Sequence, residues 1–154
     1  MKLTTLCYIE KDGKYLMLHR NAKKADENKD KWIGVGGKFL PGESPEDCLL
    51  REVEEETGLR LLSWQFKGVI TFVSDEIGTE YMFLFKSDEY EGNLSSCDEG
   101  ELVFVDKDKI FELNLWEGDR VFLKLMEERE FFTLKLEYEG SQLRKAVLDG
   151  KYIC

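Results

Sequence analysis

Apolar residues dominate positions 3–10 and 14–20, on either side of Lys11-Asp12-Gly13. Two short apolar runs flanking a Gly-containing turn predict a β-hairpin. Residues 21–31, NAKKADENKDK, carry no apolar period and read as a polar loop. Trp32 to Val35 forms a short strand that stops at Gly36-Gly37. The spacing then becomes helical: Leu49, Leu50 and Val53 share one face. Ser44 suits the N-cap, Pro45 the first helical position, and Asp47 the acid of a capping box. Gly58 supplies the stop. Trp64–Ser74 and Glu80–Lys86 are strand-like, with Gly78 between them, and Glu101–Val105 is a further strand. Asp106–Leu113 reads as a turn or short helix. Trp116–Arg129 reads as a second amphipathic helix that offers Val121, Phe122, Leu125 and Met126 to a core. Phe131–Tyr138 and Gln142–Leu148 form a terminal hairpin around Gly140, with Phe131 and Phe132 both expected in the core. Strands before, between and after two helices predict a mixed α/β or α+β layered domain. A length of 154 residues predicts one domain over 1–154.

Charge changes the picture more than composition does. The chain is 42% hydrophobic and 35% charged, a globular profile. Its net charge of -10 argues against unaided binding of a long nucleic acid, and an anionic ligand would need cations or local basic residues. The apolar runs are too short for a membrane span, and the N-terminal MKLTTLCYIEKDGK lacks the apolar centre of a signal peptide. Cys7, Cys48, Cys97 and Cys154 have no metal-binding spacing and read as free thiols of a cytoplasmic protein.

The C-terminal end of the first helix is its chemically loaded part. Glu52, Glu55 and Glu56 fall three and four residues apart and share a face. Like charges so placed repel by a few tenths of a kcal/mol per pair, roughly. They also sit toward the C-terminal end of the helix, where its dipole disfavours anions. Local stability does not choose this arrangement. A hard divalent cation would turn the repulsion into binding, and carboxylates suit Mg²⁺ or Mn²⁺ better than Zn²⁺.

The stretch Gly37–Leu59, GKFLPGESPEDCLLREVEEETGL, resembles the signature of the Nudix hydrolases at nine spaced positions: Gly37, Glu43, Arg51, Glu52, Val53, Glu55, Glu56, Gly58 and Leu59. The resemblance implies an α/β/α sandwich with a mixed sheet and a catalytic loop-helix-loop. It implies Mg²⁺-dependent hydrolysis of a nucleoside diphosphate linked to another group, with Mn²⁺ able to substitute. Glu52, Glu55 and Glu56 would hold the metal. Arg51 would orient a carboxylate of the motif, with Glu43 as its partner. Gly37 and its neighbours would let the diphosphate approach the backbone and metals closely. The general base stays open among Glu55, Glu56 and Glu99, the last in the loop Cys97-Asp98-Glu99-Gly100-Glu101.

Within that family, Lys31–Lys38 (KWIGVGGK) and Leu115–Asp119 (LWEGD) resemble the enzymes that hydrolyse oxidised purine nucleoside triphosphates. In those enzymes a tryptophan stacks on the purine and two adjacent acids read its edge. Trp116 and Asp119 match, Gly118 replaces the other acid, and Ile33 stands where those enzymes carry asparagine. The implied reaction converts a purine (deoxy)nucleoside triphosphate, such as 8-oxo-dGTP, to the monophosphate and pyrophosphate by attack of water, at the β-phosphorus. Alternative substrates are ADP-ribose, dinucleoside polyphosphates and RNA 5′ ends. A non-catalytic nucleotide-sensing module is the alternative of another class. Lys38 is a candidate phosphate contact. Arg20, Lys23 and Lys24 could steer phosphates, and His19 is given a structural or surface role rather than a catalytic one. The only partner expected is a small nucleotide, with no membrane.

Overall fold

The computed structural model describes residues 1–21 and 30–154; Lys23, Lys24 and most of the polar loop lie outside the described residues. Its elements follow the chain as β1 (Lys2–Lys11), β2 (Lys14–His19), β3 (Trp32–Ile33), α1 (Pro45–Thr57), β4 (Arg60–Leu61), β5 (Gln65–Ser74), β6 (Gly78–Ser87), β7 (Tyr90–Glu91) and β8 (Glu101–Asp106). A 3₁₀ turn (Lys107–Glu112), α2 (Glu117–Glu128), β9 (Phe132–Glu139), β10 (Gln142–Leu148) and β11 (Lys151–Tyr152) complete it. The large sheet is mixed and runs β11-β10-β9-β5-β6-β1-β2-β3, with β8 also paired to β2. The β1–β6 and β5–β9 pairs are parallel.

The first hairpin is forked. β1 and β2 pair only beside their turn, at Glu10↔Tyr15 and Lys11↔Lys14. Beyond that point β1 follows β6, and β2 follows β8 and β3. The segment after β3 enters the fork, where Val35 and Lys38 bridge singly to Cys7 and Thr4 of β1. The predicted strand Trp32–Val35 is therefore a two-residue strand followed by an isolated bridge. Gly34 sits too close to β1 for any side chain, since a Cβ there would lie 2.8 Å from the Cys7 carbonyl oxygen.

Alternation along the strands builds two cores. Leu6 and Tyr8 of β1, with Tyr15 and Met17 of β2, pack with Phe122, Leu123 and Met126 of α2. Their neighbours Cys7, Ile9, Leu16 and Leu18 pack on the opposite face with Leu49 and Val53 of α1. Successive strand residues point to opposite faces, so a sheet covered on both sides needs apolar runs rather than alternation. The result is the α/β/α sandwich, with α1 and α2 on opposite faces of one mixed sheet. Each such fully buried aliphatic side chain contributes roughly 1.5–3 kcal/mol.

Parity also corrects one expectation. Phe132 is wholly buried, whereas Phe131 remains 51% exposed and meets Phe66 edge-on at 5.3 Å. Adjacent residues entering a strand cannot both face the same core. Gly78 opens β6 opposite Ser74 rather than lying between strands. The Ser74 hydroxyl closes that turn by accepting from the N–H groups of Glu76 and Ile77. The two-residue strands β4, β7 and β11 are too short to leave a period in the sequence.

Candidate active site

The α1 helix is fixed at both ends by the predicted residues. Ser44 Oγ accepts from Asp47 N–H and Asp47 Oδ2 accepts from Ser44 N–H, each at 3.0 Å, a complete capping box. Gly58 ends the helix in the left-handed region at φ 80° and donates to Glu54 O at 2.9 Å. The loop before the helix lies against β1. A Cβ on Gly36 would fall 2.0 Å from Thr5 O, and one on Gly37 would fall 2.2 Å from Glu52 Oε2. Glycine at both positions is what brings this loop, β1 and the Glu52 carboxylate together.

Arg51 is the hub of the helix's acidic surface. Nε and Nη2 grip the two oxygens of Glu43 at 2.7 and 2.9 Å, and Nη1 donates to Glu52 Oε1 at 2.6 Å and Glu55 Oε2 at 3.2 Å. Nη2 also donates to Lys38 O at 2.9 Å, tying the loop to the helix. The bidentate pair is the strong, orienting kind. The Arg51 hydrogen bonds hold the Glu43 carboxyl down at about 2, and Glu43 in turn lifts Arg51 further above its high ordinary value.

The three acids do not share one environment. Glu56 is only 8% exposed and accepts from Gly36 N–H at 2.7 Å. Burial, then the hydrogen bond and charge of Glu99, raise its pKa well above the carboxylate range. Glu99 itself is 3.5 Å from Arg20 Nη1. Oxygens of Glu56 and Glu99 and the Cys97 sulfur lie within 4.8 Å of one another. Glu52 and Glu56 line a cleft of about 580 Å³ together with Gly36, Gly37, Lys38 and Glu99. Glu55, whose side chain is 61% exposed, turns to Arg51 and does not line the cleft. The expected common face thus holds for Glu52 and Glu56, one helical turn apart.

The same cleft is lined from the α2 side by Ile33, Phe72, Glu80, Met82, Trp116 and Asp119. Trp116 is the N-cap of α2 and supplies no side-chain cap. Instead the Tyr138 hydroxyl accepts from Gly118 N–H at 2.6 Å, satisfying one orphan donor of the first turn. The Trp116 ring stands edge-on to Tyr138 at 5.6 Å and Phe72 at 6.3 Å, with Lys31 Nζ 4.9 Å from its centroid. Asp119 is 8% exposed. Burial raises its carboxyl to about 7, Lys31 pulling it back and Glu80 pushing it further up. Gly118 has a packing reason: a Cβ there would meet Leu136 Cδ1 at 2.5 Å and the Tyr138 hydroxyl at 2.8 Å. An acid at this position would have to displace both side chains.

The model of the Nudix domain matches residues 2–126. The chain belongs to the Nudix hydrolase family. It is 36% identical over 131 residues to the Bacillus subtilis Nudix hydrolase YvcI, covering 82% of this chain and 79% of that protein. It is 34% identical over 142 residues to an oxidized purine nucleoside triphosphate hydrolase of Danio rerio, covering 90% and 88%. Among solved structures it superposes on the MutT protein of Bacillus halodurans with a TM-score of 0.86 at 26% identity, over 98% of this chain and 99% of that one. It is a MutT-like member of the family.

In this Nudix hydrolase, Glu43, Arg51 and Glu52 form one hydrogen-bonded unit, while Glu56 and Glu99 form another. Of these, Glu52, Glu56 and Glu99 line the cleft together with Lys38, Trp116 and Asp119, whereas Glu43 and Arg51 do not. His19 stacks on Trp32 at 4.5 Å and 2°, a packing role. No helix among the described residues is long and apolar enough to cross a membrane. The four cysteines are free. The sequence reading missed Phe72, Lys31, Tyr138 and Glu80. Glu80 was legible in principle: it shares strand parity with Met82 and Leu84, which face the α2 core, so a carboxylate there is out of pattern.

Proposed function

We propose that this Nudix hydrolase cleaves purine (deoxy)nucleoside triphosphates, including oxidised forms such as 8-oxo-dGTP, to the monophosphate and pyrophosphate with Mg²⁺. The observation that carries the reading is a single cleft lined by carboxylates from the α1 side and by an aromatic ring with a buried acid from the α2 side. A nucleotide has the same two-part chemistry: a polyanion joined to a flat, hydrogen-bonding base. The Danio rerio relative, by its name an oxidized purine nucleoside triphosphate hydrolase, supports the same substrate class.

The residues fit a hard divalent cation. Glu52, Glu56 and Glu99 offer carboxylate oxygens to the cleft, the donor type Mg²⁺ and Mn²⁺ take. Burial and the neighbouring Glu99 disfavour the ionised form of Glu56, and a bound cation would offset that cost. When bound, Mg²⁺ neutralises phosphate oxygens and makes a bound water more acidic. The chain does the rest. Arg51 fixes Glu43 and Glu52 and holds the loop carbonyl of Lys38, so the acidic surface is set before substrate arrives. Gly36 and Gly37 bring the loop close enough to line the cleft where the phosphates would lie. Glu56 and Glu99, both lining the cleft, are the pair from which a base for the water is drawn; Glu55 supports Arg51 from outside. Trp116 stacks the base and Asp119 reads its edge.

The test is a nucleotide panel with and without Mg²⁺, with products identified. Monophosphate and pyrophosphate from purine triphosphates, abolished by chelation, is the expected result. Turnover confined to ADP-ribose, dinucleoside polyphosphates or RNA 5′ ends would replace the substrate class. No turnover of any member would favour a nucleotide-sensing module.

A further inference from the structure

We infer that Glu80 is a specificity-determining residue of the base pocket, reading the N1–H and 2-amino donors of a guanine edge; this rests on the assignment of Trp116 and Asp119 to the base. Glu80 reaches the cleft from β6, on the strand face by which Met82 and Leu84 meet the core. A carboxylate placed there against apolar neighbours is costly unless it has partners. Its Oε2 accepts from Thr4 Oγ1 at 2.7 Å. Its Oε1 lies 3.9 Å from Lys2 Nζ, beyond hydrogen-bond length, and so keeps acceptor capacity toward the cleft. Thr4 and Lys2 thus hold the carboxylate in place without using it up.

The pocket then has two carboxyl groups from two elements, Asp119 from the first turn of α2 and Glu80 from a central strand. They are close enough that the Glu80 charge bears on Asp119. A side chain at position 118 would crowd Leu136 Cδ1 and the Tyr138 hydroxyl. A carboxylate oxygen is an acceptor, so Glu80 Oε1 calls for donors on the ligand. Guanine presents two adjacent ones, N1–H and the 2-amino group, beside a carbonyl. Adenine presents one amino group beside an acceptor nitrogen, which a carboxylate repels. Oxidation at C8 leaves the N1 and 2-amino edge unchanged, so Glu80 selects guanine against adenine without sorting damaged from normal guanine.

The experiment compares kcat/KM for dGTP and dITP, which differ by the 2-amino group alone, in the wild-type protein and in Glu80→Gln, with dATP as a third substrate. Losing a hydrogen bond to a charged acceptor is worth about ten- to a hundredfold. The wild-type dGTP:dITP ratio is expected to be at least about tenfold, expressed in KM because the base is remote from the reacting bond. Glu80→Gln should bring that ratio toward one. The wild-type ratio is a test that needs no variant: a value near one, with dGTP hydrolysed normally, overturns the role of Glu80 and leaves the triphosphatase reading standing. A folded Glu80→Gln that keeps the wild-type ratio does the same. Failure to hydrolyse any triphosphate overturns both.

Discussion

The two sides of the cleft are built in opposite ways. The α1 side is largely local: Gly36 to Glu56 span one loop and one helix, with Thr5, Arg20 and Glu99 added from β1, the end of β2 and the loop before β8. The α2 side is assembled from β1, β3, β5, β6 and α2, with hydrogen bonds such as Thr4–Glu80 closing 76 residues of chain. A phosphate-directed surface needs several like charges held against their own repulsion. A helix with one arginine at its hub does that within a short segment. A base-directed pocket needs a flat slot of set width, and only packed layers provide one. On the proposed reading, the chemistry common to many substrates sits in a contiguous stretch, and the part that chooses among them is spread over the fold.

The sharpest way to break that division is to damage each side once. Glu56→Gln removes a carboxylate aimed into the cleft while keeping its shape and the acceptor for Gly36 N–H. A loss of kcat on the order of a thousandfold is expected, with the order of preference among bases unchanged. Trp116→Ala should do the reverse. Base stacking is worth about 1–3 kcal/mol, so KM should rise roughly ten- to a hundredfold with kcat nearly intact. Steady-state kinetics on two purine triphosphates decide it. If Trp116→Ala lowers kcat instead, the two sides act as one unit and the division is wrong.

A smaller effect tests why the α2 side has the residues it has. Gly118→Ala places a methyl group where Leu136 and the Tyr138 hydroxyl now stand. Overpacking of this kind costs roughly 1–3 kcal/mol, and the Tyr138 cap on Gly118 N–H is strained with it. A lowered denaturation midpoint is expected, larger for Gly118→Asp, which also buries a charge. Unchanged stability in both would mean the neighbours yield easily, and that the glycine is not set by packing.

The same contrast governs what could be read from the sequence. The capping box, the Gly58 stop and the acidic turn were all visible, because each depends on residues within about two turns of one another, and the Arg51–Glu43 pair followed from the resemblance to the family signature. The long strands were visible as apolar runs. Three things were not. Glu55 and Glu56 are adjacent, and helical spacing alone does not say that one is buried against Gly36 and the other exposed on Arg51. The fork between β1 and β2 is hidden because a continuous hairpin has the same pattern. Tyr138 as the cap of α2 lies 20 residues from Gly118 and leaves no local signal.

The smallest effect concerns Asp119 and sharpens the comparison furthest. Glu43 on the α1 side is held ionised by Arg51 down to about 2, so nothing about it changes near neutrality. Asp119 on the α2 side goes the other way, from an ordinary 3.8 to about 7, chiefly through burial. Between those values the folded protein keeps a proton that the unfolded chain releases. Stability contributed by the neutral carboxyl is then full at low pH and declines as pH rises through this window, by at most about 1.4 kcal/mol per pH unit. Asp119→Asn cannot lose that proton. The difference in unfolding free energy between wild type and Asp119→Asn, measured by denaturant titration without divalent cations, should shift in favour of the variant from pH 5 to pH 7 and level off above. Glu56 and the other acids titrate in both proteins and largely cancel in the difference. A flat difference would mean that Asp119 is ionised throughout, so that it can only accept from the base. The pocket would then present two permanent acceptors, leaving any carbonyl on the purine edge without a donor.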